Sequence, residues 1–512
     1  MTAAAANARV RIGAGELQGV PERNVLAFRG IPYATPPVGN LRFAAPQAVA
    51  PWPGTRDATR SGSAPPQNAG VMLGGRPVGA TAEDCLYLEV YTPTLDGRRP
   101  VMLWLYGGGF VAGSGSDVLT NGHRLARHGD VVVVTCNYRL GALGFLAGDD
   151  ATGTAGAAVT NAGLLDQIAV LRWIRAEIHH FGGDPDCITL FGESAGGMSV
   201  CNLLAAPAAR GLFHRAIAQS GFAASVQTGA AARDVRGQLC AALGVADGDT
   251  QALRECATDQ LLAAQQQVLI ATRRKNRGMA FRPAIDHASL PEVPLSAIAA
   301  GRAADVPLLL GTNLDEQRLY MSPRQDLTDA ELLAHIVQRL RQSNVDPAFA
   351  PNTAALYQRT RPEAEYASNA AIACAVDTDL SFRVPALRLA RARLSAAVST
   401  KTWMYLLTWK SPALRGWLAA CHAIDVPFVF GNLDTPGMRR FAGSGAAADA
   451  LAGQMMTDWT HFARTGQPAA HDWEPYAAPV RRTMLYGPHA AVVAAPYEEE
   501  RQFWAQVLNE PL

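Results

Sequence analysis

The stretch Cys187-Ile188-Thr189-Leu190-Phe191-Gly192-Glu193-Ser194-Ala195-Gly196 decides the fold. Its first five residues form a short, largely apolar run, the pattern of a buried strand. Gly192–Gly196 then fits G-x-S-x-G, and Gly197–Ala205 is compatible with a helix. In the sequence strand, tight turn, helix, a serine is lifted to the carboxyl edge of a sheet as a nucleophile. Only small residues fit beside so tight a turn, and the helix N-terminus beneath it favours developing negative charge. A chance Gly-Ser-Gly turn is the bland alternative, and it leaves the flanking strand and helix unexplained.

Working outward, Val101–Tyr106 and Val131–Thr135 read as further buried parallel strands. Leu164–His179 reads as a helix that stops near Gly182-Gly183. Strand and helix in this alternation predict an α/β fold with a central, mostly parallel, doubly wound sheet, helices on both faces and a small N-terminal antiparallel sheet. Val306–Leu310 and Trp403–Thr408 are later strand candidates, residues 327–342 and 381–396 are helical, and a last helix spans about Ala447–Arg464. The first 135 or so residues read as strands and turns, and residues 61–82 as a surface loop without aromatics. With no repeat and no Pro/Ser-rich linker, the expectation is a single domain over residues 1–512.

Composition narrows the function. Hydrophobic residues make up 49% and charged residues 17%, enough apolar material for a large core. A formal net charge of +1 gives no electrostatic case for nucleic acid. The eight cysteines include no CxxC pair, so neither a zinc nor a redox framework is expected, and no metal or cofactor. Cys240 and Cys256 lie close enough in sequence to bridge, but free thiols fit so sparse a set better. No run of 18 apolar residues exists, so no membrane span is expected. Without an apolar leader region the chain as given reads as cytoplasmic, or as secreted or periplasmic if a leader has been removed. The sequence does not fix the oligomeric state, and a monomer is compatible with it.

Acyl transfer needs backbone N–H groups aimed at a tetrahedral oxyanion. Tyr106-Gly107-Gly108-Gly109-Phe110, just past a strand, would supply them from Gly108 and Gly109 together with Ala195. Gly107-x-Gly109-x-x-Ala112, with Asp130 some twenty residues on, also fits a dinucleotide fingerprint. Gly113 and Gly115 argue against the helix that a pyrophosphate would require there. The serine also needs a base and an orienting acid, in the chain order Ser, Asp or Glu, His. Of the downstream histidines, His422 lies in a loop after a strand, whereas His461 lies inside the last helix. Asp315 and Glu316 both follow the strand Val306–Leu310, and from the residues alone they compete.

These segments resemble the type-B carboxylesterase family, which includes the cholinesterases and the bacterial para-nitrobenzyl esterases. The matching motifs run nearly end to end: Phe28–Ala34, Glu83–Leu88, Asn137–Arg139, Asn161–Gly197, Gly211–Phe213, Gln219–Gly221, the acid and His422 loops, and Trp459–Gly466. The resemblance implies the α/β-hydrolase fold, Ser194 as nucleophile, Glu316 as acid and His422 as base. It implies supporting roles for Glu193 and Ser220, and structural ion pairs of Arg42 with Glu83 and Arg139 with Asp166. Three departures matter. No cysteine precedes Cys85, so the family's N-terminal disulfide has no partner. The 61–82 stretch lacks the aromatic that binds choline, and Gln317 stands where the family commonly has glycine.

The implied function is hydrolysis of a small-molecule ester through an acyl-enzyme. Phe110, Phe222, Arg277, Met279, Arg282 and Arg318 are the candidate substrate-facing residues. The run Arg273-Arg274-Lys275-Asn276-Arg277, with Arg282 and Arg318, is basic where the family's acyl pocket is apolar. It reads either as a solvated surface cluster or as a receptor for an anionic acyl group, such as the tricarballylate esters of fumonisin-type mycotoxins. The alternatives are a general carboxylesterase or lipase for neutral esters and a non-catalytic, cholinesterase-like binding protein. Survival of all three triad residues argues against the last, and the absence of a long amphipathic lid against a lipase.

Overall fold

The computed structural model describes residues 8–68, 71–72, 76–77, 79–149, 156–274, 278–321, 326–396 and 401–512. Its main feature is an eleven-stranded sheet. In spatial order the strands are Ala491–Ala494, Arg482–Tyr486, Thr402–Leu407, Leu308–Asn313, Arg215–Gln219, Gly183–Glu193, Arg99–Leu105, Val132–Cys136, Tyr87–Thr92, Val25–Pro32 and Val20–Glu22. From Arg482–Tyr486 to Val132–Cys136 every pairing is parallel, and the strands beyond either end join antiparallel.

Strand alternation builds a core on each face. Leu103 and Leu105 enter one apolar cluster, with the helices Ala162–Glu177 and Val384–Ser395. Met102 and Trp104 enter the other, with the helix Ala446–Thr465. Burial on both faces explains why these strands read as continuous apolar runs rather than alternating ones. The chain leaves Arg99–Leu105 for Val132–Cys136 on one side and returns to Gly183–Glu193 on the other. That reversal opens a crevice at the carboxyl ends of the strands, where ligands bind in sheets of this kind.

The five predicted core strands and the main helices are present, with ends shifted by a few residues. Four expectations are corrected. The small N-terminal sheet is mixed: Arg9–Ile12 pairs antiparallel with Gly15–Gln18, but Thr55–Asp57 joins it parallel. The first 135 residues include a helix, His123–Gly129, too short to show a period in the sequence. The 61–82 stretch is not wholly a surface loop: Ala64–Gln67 is buried, with Gln67 pinned to both backbone groups of Gly113. Residues 381–396 are not one α-helix, because Asp379–Arg383 forms a π-helical turn before Val384–Ser395. Cys240 and Cys256 are both free thiols, and Arg42–Glu83 and Arg139–Asp166 both form, the latter through two nitrogens at 2.8 and 2.7 Å.

Candidate active site

Ser194 stands between the strand Gly183–Glu193 and the helix Ala195–Ala205 with φ +55° and ψ −124°. A side chain is rarely found there, and such strain is held only where the surroundings over-determine it. Here Ser194 N–H donates to Gln219 O at 2.9 Å, and Ser194 O accepts from Met198 N at 2.8 Å. The flanking glycines allow the turn to close. A Cβ on Gly192 would lie 2.6 Å from Gly196 C, and one on Gly196 would collide with Leu105 O.

The glycine loop crosses beside it. A Cβ on Gly107 would sit 2.7 Å from Glu193 Oε2 and 3.0 Å from Ser194 Cβ, so the two turns touch. Gly108 and Gly109 have φ of +113° and +62°, and a Cβ on Gly108 would strike Ala112 O. The N–H groups of Val111 and Ala112 close the turn onto Gly108 O. Those of Gly108, Gly109 and Ala195 donate to no other described residue. The loop is a turn rather than a helix start, and Asp130 pairs with Arg99, which removes the dinucleotide reading.

Of the two acids left open by the residues, Glu316 meets the imidazole. Its Oε2 lies 2.5 Å from His422 Nδ1, while Oε1 accepts from Ser220 Oγ at 2.5 Å and Asn313 N at 2.8 Å. Asp315 turns the other way, accepting from Tyr366 Oη at 2.5 Å and Ala420 N at 3.2 Å. His461 stays on its helix, bonded to Gln467 O. Behind His422, Asp425 accepts from Gln219 Nε2 at 2.7 Å, and Gln219 Oε1 accepts from Trp459 Nε1 at 3.0 Å.

His422 Nε2 faces Glu193 Oε1 at 3.0 Å, and among the described residues no hydrogen bond joins it to Ser194 Oγ. Catalytic hydrogen bonds are often open before substrate binds. Both groups are buried and shifted. Burial pushes the Glu193 carboxyl up to about 8, against the pull of His422. Burial also opposes charge on His422, but Glu193 and Glu316 together outweigh it and push the imidazole up to about 9. The surrounding carboxyl groups thus favour the protonated imidazole, and Glu316 holds its orientation through Nδ1.

The carboxylesterase family model matches residues 6–504. The chain belongs to that family. The carboxylesterase is 38% identical over 494 residues to the para-nitrobenzyl esterase of Bacillus subtilis (strain 168), covering 95% of this chain and 96% of that one. It is 34% identical over 465 residues to the fumonisin B1 esterase of Sphingopyxis macrogoltabida, covering 89% and 81%. A solved thermophilic PNB esterase superposes with a TM-score of 0.84 at 36% identity, covering 97% of this chain and 99% of that one. The chain is thus a carboxylic ester hydrolase of the α/β-hydrolase fold, and none of its described helices is long and apolar enough to cross a membrane.

The expected substrate-facing residues divide. Met279 Sδ lies 3.9 Å from where a Gly109 Cβ would be, against the glycine loop of the carboxylesterase. Phe222 packs edge-on to Phe382, whose ring lies 5.0 Å from that of His422. Arg277 lies outside the described residues. Phe110 does not face the site: its positive φ turns the ring inward, fully buried and 5.1 Å from Phe145. Arg318 is also committed elsewhere. The turn Glu316–Leu319 buries it between Tyr366 and Trp417, where it donates to Trp417 O and Glu365 O at 3.1 and 2.7 Å. Two residues about His422 escaped the sequence reading, Phe382 and Tyr320, the latter with its ring 5.5 Å away and 60% exposed. Phe382 sits in the π-helical turn, where no regular period points to it, and Tyr320 lies four residues past Glu316.

Proposed function

We propose that the chain acts as one unit over residues 1–512 and hydrolyses small-molecule carboxylic esters in two acyl-transfer steps. His422 takes the Ser194 proton through Nε2, and the hydroxyl attacks the ester carbonyl. The N–H groups of Gly108, Gly109 and Ala195 receive the oxyanion. His422 returns the proton to the leaving alcohol, and water then releases the acid by the same route. Glu316 fixes the imidazole tautomer and balances its charge, and Ser220 holds Glu316. The observation that carries this reading is the 2.5 Å contact of Glu316 Oε2 with His422 Nδ1, reached from residues 106 positions apart. Ser194→Ala should abolish turnover of a p-nitrophenyl ester and labelling by a fluorophosphonate, with the fold retained. Retention of most activity would refute the assignment.

A finer reading concerns the acyl group. Arg282 is half-buried, its Nε has no hydrogen-bond partner, and burial lowers its pKa with no carboxylate to offset it. Its Nη1 lies 2.9 Å from a Cβ position on Gly278, the residue before Met279. A guanidinium left so poorly compensated favours substrates whose acyl part carries a carboxylate. The relative named as a fumonisin B1 esterase is in keeping with this. Arg282→Gln should lower kcat/KM for a carboxylated ester at least tenfold more than for its neutral methyl ester. Equal losses for the two would remove the anionic preference and leave a general carboxylesterase.

A further inference from the structure

Away from the triad, a cavity of about 770 Å³ opens between the helix His123–Gly129, the segment Gly431–Gly445 and the helix Ala446–Thr465. No residue lining it belongs to the site described above. Its walls carry four guanidiniums, Arg23, Arg124, Arg127 and Arg439, against two carboxylates, Asp434 and Asp449, with His123 and His128 alongside.

The individual partners show which charges are spent. Arg124 forms an ion pair with Asp434 and donates to Gly431 O at 2.8 Å, so these two charges cancel. His123 Nδ1 lies 2.5 Å from Asn121 Oδ1, an acceptor, so Nδ1 carries the proton and Nε2 accepts from Arg23 Nη1 at 3.1 Å. Burial, then Arg23 and Arg124, hold His123 down to about 4, which keeps it neutral and leaves the Arg23 charge unmatched. His128 bonds Thr457 Oγ1 at 2.8 Å, and burial lowers its pKa too. The side chains of Arg127 and Arg439 are solvent-exposed and have no hydrogen-bond or ion-pair partner among the described residues. Arg23 is exposed as well, so three solvent-exposed guanidiniums without a carboxylate partner share the cavity with Asp449.

The cavity wall supplies a further element of the same sign. Asp449, Ala452 and Met456 line it from one face of the twenty-residue helix Ala446–Thr465, and Ser444 and Gly445 line it at that helix's start. Gly445, the N-cap, has no side chain with which to satisfy the first-turn amides. Unfilled amides and the positive end of the helix dipole add to the arginines.

We infer that this cavity is a second, non-catalytic site that binds a multiply charged small-molecule oxyanion. Arg127 and Arg439 would grip the oxygens, with Arg23 and the first-turn amides completing the shell. The guanidinium fork accepts phosphate and carboxylate oxygens alike, so the two probes are pyrophosphate and citrate. Each is titrated calorimetrically into the full-length protein at constant ionic strength, with chloride as the balancing ion. At least one should bind at a single site, and Arg127→Gln with Arg439→Gln should weaken it tenfold or more. Binding of pyrophosphate alone assigns a phosphoryl ligand, and of citrate alone a polycarboxylate; binding of both leaves the shared oxyanion chemistry standing. Hydrolysis of p-nitrophenyl acetate by the double variant should match that of the parent, which shows that it has folded. A single Arg23→Gln variant serves if the double variant does not fold. No saturable binding of either anion, or binding left within twofold by the substitutions, overturns the inference.

Discussion

Glu316→Gln separates charge and tautomer from shape. The carboxylate sees three donors: Ser220 Oγ and Asn313 N on Oε1, and His422 Nδ1 on Oε2. Glutamine fits the same space but must place an NH2 on one side. Set at the Oε1 position, it would meet the backbone N–H of Asn313, which cannot turn away, and an unmatched buried donor costs about 1–3 kcal/mol. The amide therefore keeps its oxygen there and presents NH2 to Nδ1. Nδ1 must then accept, which leaves the proton on Nε2, the nitrogen that has to take the serine proton. Loss of the correct tautomer in a triad costs roughly 10⁴-fold in kcat, or about 5.5 kcal/mol of transition-state stabilisation. Stopped-flow acylation with a p-nitrophenyl ester measures it, and the thermal midpoint checks that the fold survives. If Glu316→Gln kept kcat within tenfold of the parent, the carboxylate would not be setting the state of His422, and the argument from the 2.5 Å contact would fail.

Gly108→Ala should lose roughly 10²–10³-fold in kcat, because a Cβ strikes Ala112 O and a φ of +113° excludes alanine from the observed turn; unchanged kcat would show that this N–H does not meet the oxyanion. Glu193→Gln removes one of the three carboxyl groups, Glu193, Glu316 and Asp425, that raise His422. The imidazole should then lose its proton at lower pH, moving the acid limb of the kcat/KM profile down by about one unit; a limb that stays put or moves up contradicts the assignment. Asp166→Ala strands Arg139, whose partner is buried with it at 0% and 3% side-chain exposure. Breaking such a pair costs about 3–5 kcal/mol, read as a fall in the denaturation midpoint, and a loss below 1 kcal/mol would mean that water or another acceptor replaces the carboxylate.

How much of this site was legible in the sequence depended on whether a residue's role was local. The Ser194 turn is written in consecutive residues: small neighbours at Gly192, Ala195 and Gly196 are what a reversal of that tightness permits, and the overlaps at Leu105 and Gly196 show why. The glycine loop is local in the same sense. The acid was not, because Asp315 and Glu316 both follow the same strand, and which one reaches His422 depends on Asn313 N and Ser220 Oγ holding one carboxylate while Tyr366 and Ala420 hold the other. The resemblance supplied what residue type alone left open. Arg318 and Phe110 were misplaced for the converse reason. Each lies beside a functional residue in sequence, but a short turn or a positive φ sends its side chain into the core, where rings and carbonyls take it up. Phe382 was missed because it reaches His422 from the π-helical turn Asp379–Arg383, where a 3.6-residue period does not hold. Proximity along the chain thus identified the groups whose backbone does the work, and only three-dimensional packing sorted those whose side chains do.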